Sequence, residues 1–576
     1  MNGNAQNIKK DTKELLLQWC GGLLRYQLHQ PHAPEFDGGL LCPACKMIHG
    51  RCTEAVYPLL CAADLTGEDR WLSAAKQLFR WGENVRCDDG SLYNDPNSPW
   101  AGTTVFQAMA LHDALTFHGG LLSPAEKSAW EARLRGMGEW LFRSLRPDGS
   151  AYLNYYAANA CAMALLGRYF GRKDYAALAK ELADYCLTHV SESGLLFGEG
   201  HPRDARSPKG CAAIDVGYNA EESLPCLLRY AETAGDEAAL LTVRKLFRTQ
   251  LDWMLPDGAW DNSIGTRSFK WTYWGGRTTD GATDALFRLG KTDPLFAEAA
   301  QRRLELIQAN THDGLLYGGR DLATQGESPC LHHTFCRAKT LASILNEPLP
   351  DVRRTALPVE TADGLFEYPE LAAYRLIRGG WIAEITANDF RNRKGGHASG
   401  GALNLLWHQK SGPVVAVGMA DYEVNEPFNQ QQTRRKSAHR SPCPRIETET
   451  EGQRFAQHYD YAAQTACRDE NGALTVTVDA LLCDEHHRSK DVAGGCSLRY
   501  DLTEQALRIS GRVSPALAGH AQYVLPLISD AVTLTVDCGT LQPDAHKGFN
   551  LNPGFAFTEY RIRPDRDGRF SVLLTI

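Results

Sequence analysis

LPDGAWDNSIGTRSFKWTYWGGRTTDGATD, residues Leu255–Asp284, opens on a Pro-Asp-Gly that is one copy of a recurring turn. FDGGLL from Phe36, DDGSLY from Asp88, PDGSAY from Pro147, ESGLLF from Glu192, HDGLLY from His312 and ADGLFE from Ala362 share its form. Each sets a polar or acidic residue and a Gly before an apolar or aromatic pair. Their glycines, Gly38, Gly90, Gly149, Gly194, Gly258, Gly314 and Gly364, are 45 to 64 residues apart. A turn of fixed form at that spacing is the mark of a repeat architecture. The stretch also carries an unusual cargo, with Trp260, Trp271, Tyr273 and Trp274 set among Arg267, Lys270, Arg277, Asp257, Asp261, Asp280 and Asp284. Buried charges need partners and Trp is hard to bury completely, so the mixture reads as a concave surface for a sugar. A connecting loop pinned by its own aromatics is the alternative.

Between the turns the periodicity is helical. AVYPLLCAADLTGEDRWLSAAKQLFRWGENV holds two apolar-periodic segments broken by TGED, and TVFQAMALHDALTFHG, AANACAMALLGRYFG and AALLTVRKLFRTQLDWML repeat the pattern. Each unit is about two helices and a turn, which predicts an (α/α)6-type toroid over residues 1–355 with the turns gathered at one rim. Beyond Pro348-Leu349-Pro350 the chain alternates, as in GGWIAEITAND, ALTVTVDALLCD and RFSVLLTI. Period-two runs rich in Val, Ile, Thr and Leu predict an antiparallel β-sandwich over residues 360–576.

Composition narrows the partners. The chain has 576 residues, 43% hydrophobic, and a net charge of −8, which argues against nucleic acid or an anionic membrane. No apolar run reaches spanning length and the N-terminus lacks an apolar leader, so a cytoplasmic location is expected. The 17 Cys are an odd number, scattered, and read as reduced thiols. The Rossmann fingerprint, the P-loop and the GxSxG elbow are all absent.

A helical toroid followed by a sandwich that opens with GGHASGGALNLLWHQKSGPVVAVG, residues 395–418, resembles the heparinase II/III-like polysaccharide lyases. It is more loosely similar to the (α/α)-toroid glycoside hydrolases active on glucuronides. The resemblance implies β-elimination at a uronate, with Asn, Tyr and His in that chain order: here Asn219, Tyr273 and His397. Masking the carboxylate charge lets an enolate-like intermediate form, and each preorganised donor is worth about 3 kcal/mol. Arg267, Lys270 and Arg277 would hold the carboxylate, and Trp271 and Trp274 would stack on sugar rings. Glu221, Glu222 and His201 complete the expected substrate site, beside Asp215 and Glu199. The family pattern H-x-H-x-D is met only by His397, with Gly395 and Ser399 in the flanking places. Neither a catalytic metal nor a cofactor is expected.

Two other readings stay open. Glu221, Glu222, Asp261 and Asp280 could supply the carboxylate pair of a glucuronide hydrolase, or the cleft could bind a glycan without acting on it. CPACKMIHGRC, Cys42 to Cys52, offers Cys42, Cys45 and Cys52 for a structural zinc, but a loop of buried thiols is favoured. Its Arg51 could face the cleft as a second carboxylate clamp. His332 and His333 begin a helix where one could line the cleft. NQQQTRRKSAHRS, Asn429–Ser441, reads as a solvated sandwich loop that could reach over the toroid mouth. The expected partner is a small uronic-acid-bearing saccharide, and pairing of copies through the sandwich is compatible with this architecture.

Overall fold

The computed structural model describes every residue except 1, 2, 96, 97, 99, 427, 428, 432, 434–440, 471 and 490–493, together with the side chains of 3 and 4. Its helices are α1 (Gly3–Leu24), α2 (Val56–Thr66), α3 (Asp69–Trp81), α4 (Thr104–His118), α5 (Pro124–Ser144), α6 (Leu153–Phe170) and α7 (Lys173–Leu187). They continue as α8 (Val216–Tyr218), α9 (Leu224–Ala234), α10 (Glu237–Gln250), α11 (Thr283–Gly290), α12 (Pro294–Ala309), α13 (Leu331–Asn346) and α14 (Pro358–Thr361). A π-helical turn, Asn219–Ser223, joins α8 to α9.

Burial sorts these helices into two rings. α4 is buried on all sides from Thr104 to Leu115. α3 buries a single stripe, Trp71, Ala74, Ala75 and Leu78, at the spacing of one helical face. The inner helices α2, α4, α6, α9, α11 and α13 touch in succession and α13 returns to α2. Each is backed by an outer partner, α3, α5, α7, α10, α12 and α1 respectively. The N-terminal helix therefore closes the ring as outer partner of the last inner helix, held by a bond from Trp19 Nε1 to Thr311 Oγ1 at 3.0 Å.

Six of the repeat glycines, Gly38, Gly90, Gly149, Gly194, Gly258 and Gly314, each precede one inner helix, Gly364 opens the first strand of the sheet-forming half, and all have positive φ, from 73° at Gly314 to 133° at Gly364. At Gly90 a Cβ would stand 2.4 Å from the Gly136 carbonyl oxygen in α5, and at Gly258 it would stand 2.7 Å from the Arg302 backbone in α12. Both the backbone conformation and the close approach of the outer helix demand Gly there. The apolar pair after the sixth turn is buried, and its Leu315 and Leu316 form β2 (Leu315–Leu316) against β1 (Thr311–His312).

The rest of the chain is antiparallel sheet. β3 (Gly364–Tyr368), β4 (Ala373–Arg378), β5 (Trp381–Thr386), β6 (Ala402–His408) and β7 (Gly412–Ala416) form a five-stranded meander. β8 (Arg445–Thr450), β9 (Gln453–Ala456), β10 (Gln464–Glu470), β11 (Ala473–Leu481), β12 (Gly495–Leu502) and β13 (Ala506–Val513) follow. The last are β14 (Gln522–Leu527), β15 (Thr533–Cys538), β16 (Thr540–Leu541), β17 (His546–Asn550), β18 (Phe555–Arg563) and β19 (Arg569–Thr575). One further sheet runs β10-β11-β12-β13-β19-β15 and another β16-β18-β14-β8-β9, with β17 added on β18. Leu376, Leu403, Ile446, Val476, Leu525 and Val572, drawn from all three sheets, share one apolar core.

Helical ring and sheets meet across buried charge. Arg375 on β4 reaches Asp261 Oδ2 at 2.6 Å, Glu384 Oε2 at 2.9 Å and the Asp252 carbonyl at 2.6 Å. Its guanidinium also lies 4.0 Å over the Trp253 ring. Among the described residues no helix is long and apolar enough to cross a membrane.

The turn geometry makes a direct prediction. Gly258→Ala meets both left-handed strain and the α12 backbone, whereas Gly171→Ala at φ 68° meets nothing within 4 Å. Strain alone costs about 1–2 kcal/mol. In urea unfolding, Gly258→Ala should therefore lose clearly more stability than Gly171→Ala, and equal losses would contradict the packing role of the turn.

Candidate active site at the toroid mouth

The inner helices all start at the rim that carries the repeat turns, so their first residues look into the ring. A cavity of about 480 Å³ opens there, within the range of small-ligand sites. Asn94 and Asp95 follow the second turn, Tyr152, Asn154 and Tyr155 begin α6, His201 follows the fourth turn, and Tyr218 ends α8. The Leu255–Asp284 stretch contributes Arg267, Lys270 and Thr278, and sandwich loops contribute Arg393, Asn425, Glu426 and Asn429. Trp100, 39% exposed, offers an aromatic face at the rim and meets Tyr155 edge-on at 5.1 Å.

Arg267 is the centre of the cavity wall. Its guanidinium lies 3.5 Å from the centroid of the Tyr218 ring and 5.0 Å from that of Tyr152. Nη1 donates to Glu199 Oε2 at 3.1 Å and approaches Asn154 Oδ1 at 3.5 Å, while Nε has no protein partner. Behind it, Asp215 accepts from the backbone N–H of Tyr218 at 2.9 Å, from that of Arg267 at 2.7 Å and from Asn262 Nδ2 at 3.1 Å. One carboxylate thus sets the base of both Tyr218 and Arg267. Tyr218 Oη pairs with Thr278 Oγ1 at 2.9 Å. Burial holds the Tyr218 phenol well above its ordinary range, opposed by Arg267.

Across the cavity the His201 imidazole lies 4.6 Å from the Tyr152 ring. Desolvation lowers its pKa, and the charges of Arg393 and Arg203 lower it further. Arg393 also donates to Tyr152 Oη at 3.2 Å. Lys270 forms an ion pair with Glu426, tying the long toroid loop to the sandwich loop. Burial pulls the Lys270 ammonium down to about 8 against the pull of Glu426. Of the described residues of the Asn429–Ser441 segment, Asn429 lines the mouth. Asn429 Oδ1 accepts from Asn94 at 3.2 Å, Gln431 Oε1 from Arg277 at 2.9 Å, and Thr433 Oγ1 donates to Glu327 at 2.9 Å. Residues 432 and 434–440 of that segment are outside the described part.

Of the residues singled out from sequence, Arg267, Lys270, His201 and Arg51 line this cavity. Arg51 is tied to Glu54, to Asp280 at 3.1 Å and to the Thr278 carbonyl at 2.7 Å. The others stand elsewhere. Tyr273 is buried with φ 68°, gives its hydroxyl to Asp257 at 2.6 Å and packs edge-on against Phe555, so it faces β18. Trp271 and Trp274 are 1% and 0% exposed and spend their indole N–H groups on the carbonyls of Trp260 and Tyr317. They offer no face to a sugar. Asn219 donates to the Leu196 carbonyl at 2.9 Å from within the π-helical turn. Glu221 is clamped by Arg303 and, at 2.6 Å, by Arg337. Glu222 accepts from the Asp280 N–H at 3.0 Å, and burial next to Asp280 pushes its carboxyl well up. Arg277 turns toward Gln431 and His333, and both His332 and His333 are fully buried. His397 bonds the Asn388 carbonyl at 3.0 Å and lines a separate cavity of about 380 Å³ with Asp421, His458 and His487.

Sequence reasoning passed over Asn154, Tyr152, Tyr218 and Trp100. The available signal was position. Tyr152 and Asn154 come within four residues of the PDGS turn, as Asn94 follows DDGSLY, and Tyr218 immediately precedes Asn219.

The Glu199 environment yields a measurable sign. Burial, against the pull of Arg267, raises this carboxyl from an ordinary 4.5 to about 7. The folded state then holds a proton that the unfolded chain releases, so the stabilisation is full below pH 4.5 and fades as pH rises to 7. Relative to Glu199→Gln, the parent should lose roughly 3 kcal/mol of unfolding free energy over that interval. Parallel pH profiles in urea unfolding would contradict this placement.

Comparison with known proteins agrees with the architecture. Residues 16–360 match the family model of the ulvan lyase N-terminal domain, and residues 366–537 match that of the C-terminal domain. The broad-specificity ulvan lyase of Formosa agariphila is 36% identical over 535 residues, which cover 91% of this chain and 83% of that protein. Among solved structures, the chondroitin AC lyase of Streptomyces coelicolor A3 in complex with chondroitin sulphate aligns at a TM-score of 0.54 and 12% identity, over 98% of this chain and 79% of the other. A xanthan lyase from Paenibacillus aligns at 0.52 and 11%, over 98% and 57%. At such identities the last two show likeness of fold.

Proposed function

The chain belongs to the ulvan lyase family and is a uronate-active polysaccharide lyase, and on that footing we propose that it cleaves ulvan at the toroid mouth. The observation that carries the placement is the Arg267 guanidinium held 3.5 Å over Tyr218, beside Asn154, in the wall of the open cavity.

In this reading the uronate carboxylate lies against Arg267 and the Asn154 amide, which neutralise it and make the C5 proton acidic. His201 is kept neutral by desolvation and by the nearby guanidinium groups, so it can accept that proton. The electron pair of the C5–H bond becomes the C4–C5 double bond as the C4–O bond breaks. Tyr218, kept protonated by burial, gives its phenolic proton to the departing oxygen. Arg267 over the ring stabilises the tyrosinate that results. Trp100 and Tyr155 form a platform for a neighbouring sugar, and the chain of the polymer leaves through the open side of the mouth. The relevant partner is thus a polymer or a fragment of one, bearing a uronate.

Hydrolysis and simple binding are not favoured. The carboxylates expected from sequence to act in hydrolysis are engaged in the protein, because Glu221 is held between two guanidinium groups, Asp261 is buried against Arg375, Asp280 is paired with Arg51 and Lys339, and Glu222 is 1% exposed.

Absorbance of the unsaturated uronate formed from ulvan tests the reading. Tyr218→Phe should lower kcat by at least 100-fold with little change in KM, and Asn154→Ala by about 10²–10³. Tyr273→Phe should stay within a few fold of the parent. Loss of activity in Tyr273→Phe with Tyr218→Phe unaffected would overturn the assignment. On the acid side, kcat/KM should fall only below pH 6.5, because the pKa of His201 is lowered from that value.

A further inference from the structure

CPACKMIHGRC is absorbed neither by the mouth cavity nor by the chemistry proposed for it. Its backbone forms a tight knuckle. Lys46 N–H bonds the Cys42 carbonyl at 2.9 Å, Cys42 N–H bonds the Met47 carbonyl at 2.9 Å, and Leu41 bridges Ile48. Lys46 takes φ 59°, a conformation unusual for a residue with a side chain. The knuckle brings one donor atom each of Cys42, Cys45 and His49 within 4.8 Å of one another. Cys45 Sγ and His49 Nε2 are 2.9 Å apart.

A fourth donor comes from the other end of the toroid. Cys330, the residue before α13, stands outside that mutually close trio but places its Sγ 4.0 Å from Cys42 Sγ. Two thiolates on one tetrahedral zinc, each bonded at about 2.3 Å, stand about 3.8 Å apart. Cys330 is fully buried, as are Cys42 and His49 to within 2%. Cys52 does not belong to this group. Its sulfur takes the Leu40 N–H. Two polar atoms at the cluster lack protein partners although buried, His49 Nδ1 and His332 Nε2. The His332 ring packs 4.4 Å from that of His49, so a second imidazole stands behind the first.

We propose that Cys42, Cys45, His49 and Cys330 bind a structural zinc ion that staples the 42–52 loop to the start of α13. Three thiolates, one neutral imidazole and Zn²⁺ leave a single negative charge, and the buried Arg277 guanidinium acts electrostatically on both Cys45 and Cys330. The staple has a functional consequence. Arg51, two residues past His49, lines the mouth cavity, and α13 carries Lys339, which shares Glu54 and Asp280 with Arg51. Zinc would fix the wall of the cavity from behind without touching substrate. The four donors come from the two ends of the helical ring, so the ion would also lock its closure.

The test uses the full chain purified under reducing conditions, with zinc measured by mass spectrometry of the metal. One zinc per chain is expected, falling at least tenfold in Cys42→Ser and Cys330→Ser and unchanged in Cys52→Ser. Because a serine variant can fail to fold, the parent supplies a second readout. Three thiols should resist alkylation until a strong chelator is added, and cobalt(II) in place of zinc should give an intense thiolate-to-metal band. A parent that neither holds nor takes up zinc or cobalt overturns the proposal. So does a Cys42–Cys330 disulfide in the reduced preparation, or full zinc content in Cys42→Ser.

Discussion

The carboxylate of Asp215 joins two stretches of chain that lie 52 residues apart. One oxygen caps α8 through the Tyr218 N–H, and the other takes the Arg267 N–H and the Asn262 amide. Burial pushes this carboxyl up, and the hydrogen bonds to its ionised form oppose that shift. A buried acceptor left without donors would be costly, so the two stretches are held together by the need to satisfy it. Their juxtaposition puts a guanidinium over a phenol at the mouth of the ring.

The long rim loop depends on a second buried acid. Glu221 projects from the π-helical turn and receives Arg303, Arg337, Trp260 Nε1 at 3.2 Å and Thr279 Oγ1 at 3.2 Å. Arg303 also holds the Gly258 carbonyl at 2.9 Å, and Arg337 holds those of Gly276 at 2.6 Å and Thr279 at 2.7 Å. The acid therefore fixes both ends of the loop through its two arginines. Removing one partner of such a buried network costs far more than the pair contributes in place, because the remaining charge stays buried. Arg375, with Asp261 and Glu384, repeats this arrangement where the ring meets the sheets, and burial raises Glu384 to about 8 against the pull of Arg375. The residues of the two connecting stretches that these frameworks do not hold line the cavity, Arg267, Lys270 and Thr278 on one side and Glu426 and Asn429 on the other.

The toroid was legible because one requirement recurs. A turn that passes close over an outer helix needs Gly, and six of the seven copies precede the six inner helices, which advertises the period. The strand half was legible from its period of two, and three antiparallel sheets share its core. The site was less legible for a physical reason. Aromatic and charged residues mixed in one loop look like a binding surface, yet here Trp260, Trp271 and Trp274 are at most 1% exposed and most of the charges around them are paired internally. Composition cannot distinguish charge satisfied by protein from charge left for a ligand. Only the fold shows that Arg267 faces the cavity while Arg277, ten residues on, faces Gln431. Likewise the third sulfur beside Cys42 and Cys45 lies 288 residues from Cys42, beyond any local motif.

The central claim is that substrate is held at the toroid mouth between Arg267 and Tyr218. A crystal structure of Tyr218→Phe soaked with a uronate-containing ulvan oligosaccharide tests it most directly. The account predicts the uronate carboxylate against Arg267 and Asn154, with a sugar ring on Trp100. A carboxylate seated beside Tyr273, or in the cavity lined by His397, would contradict it.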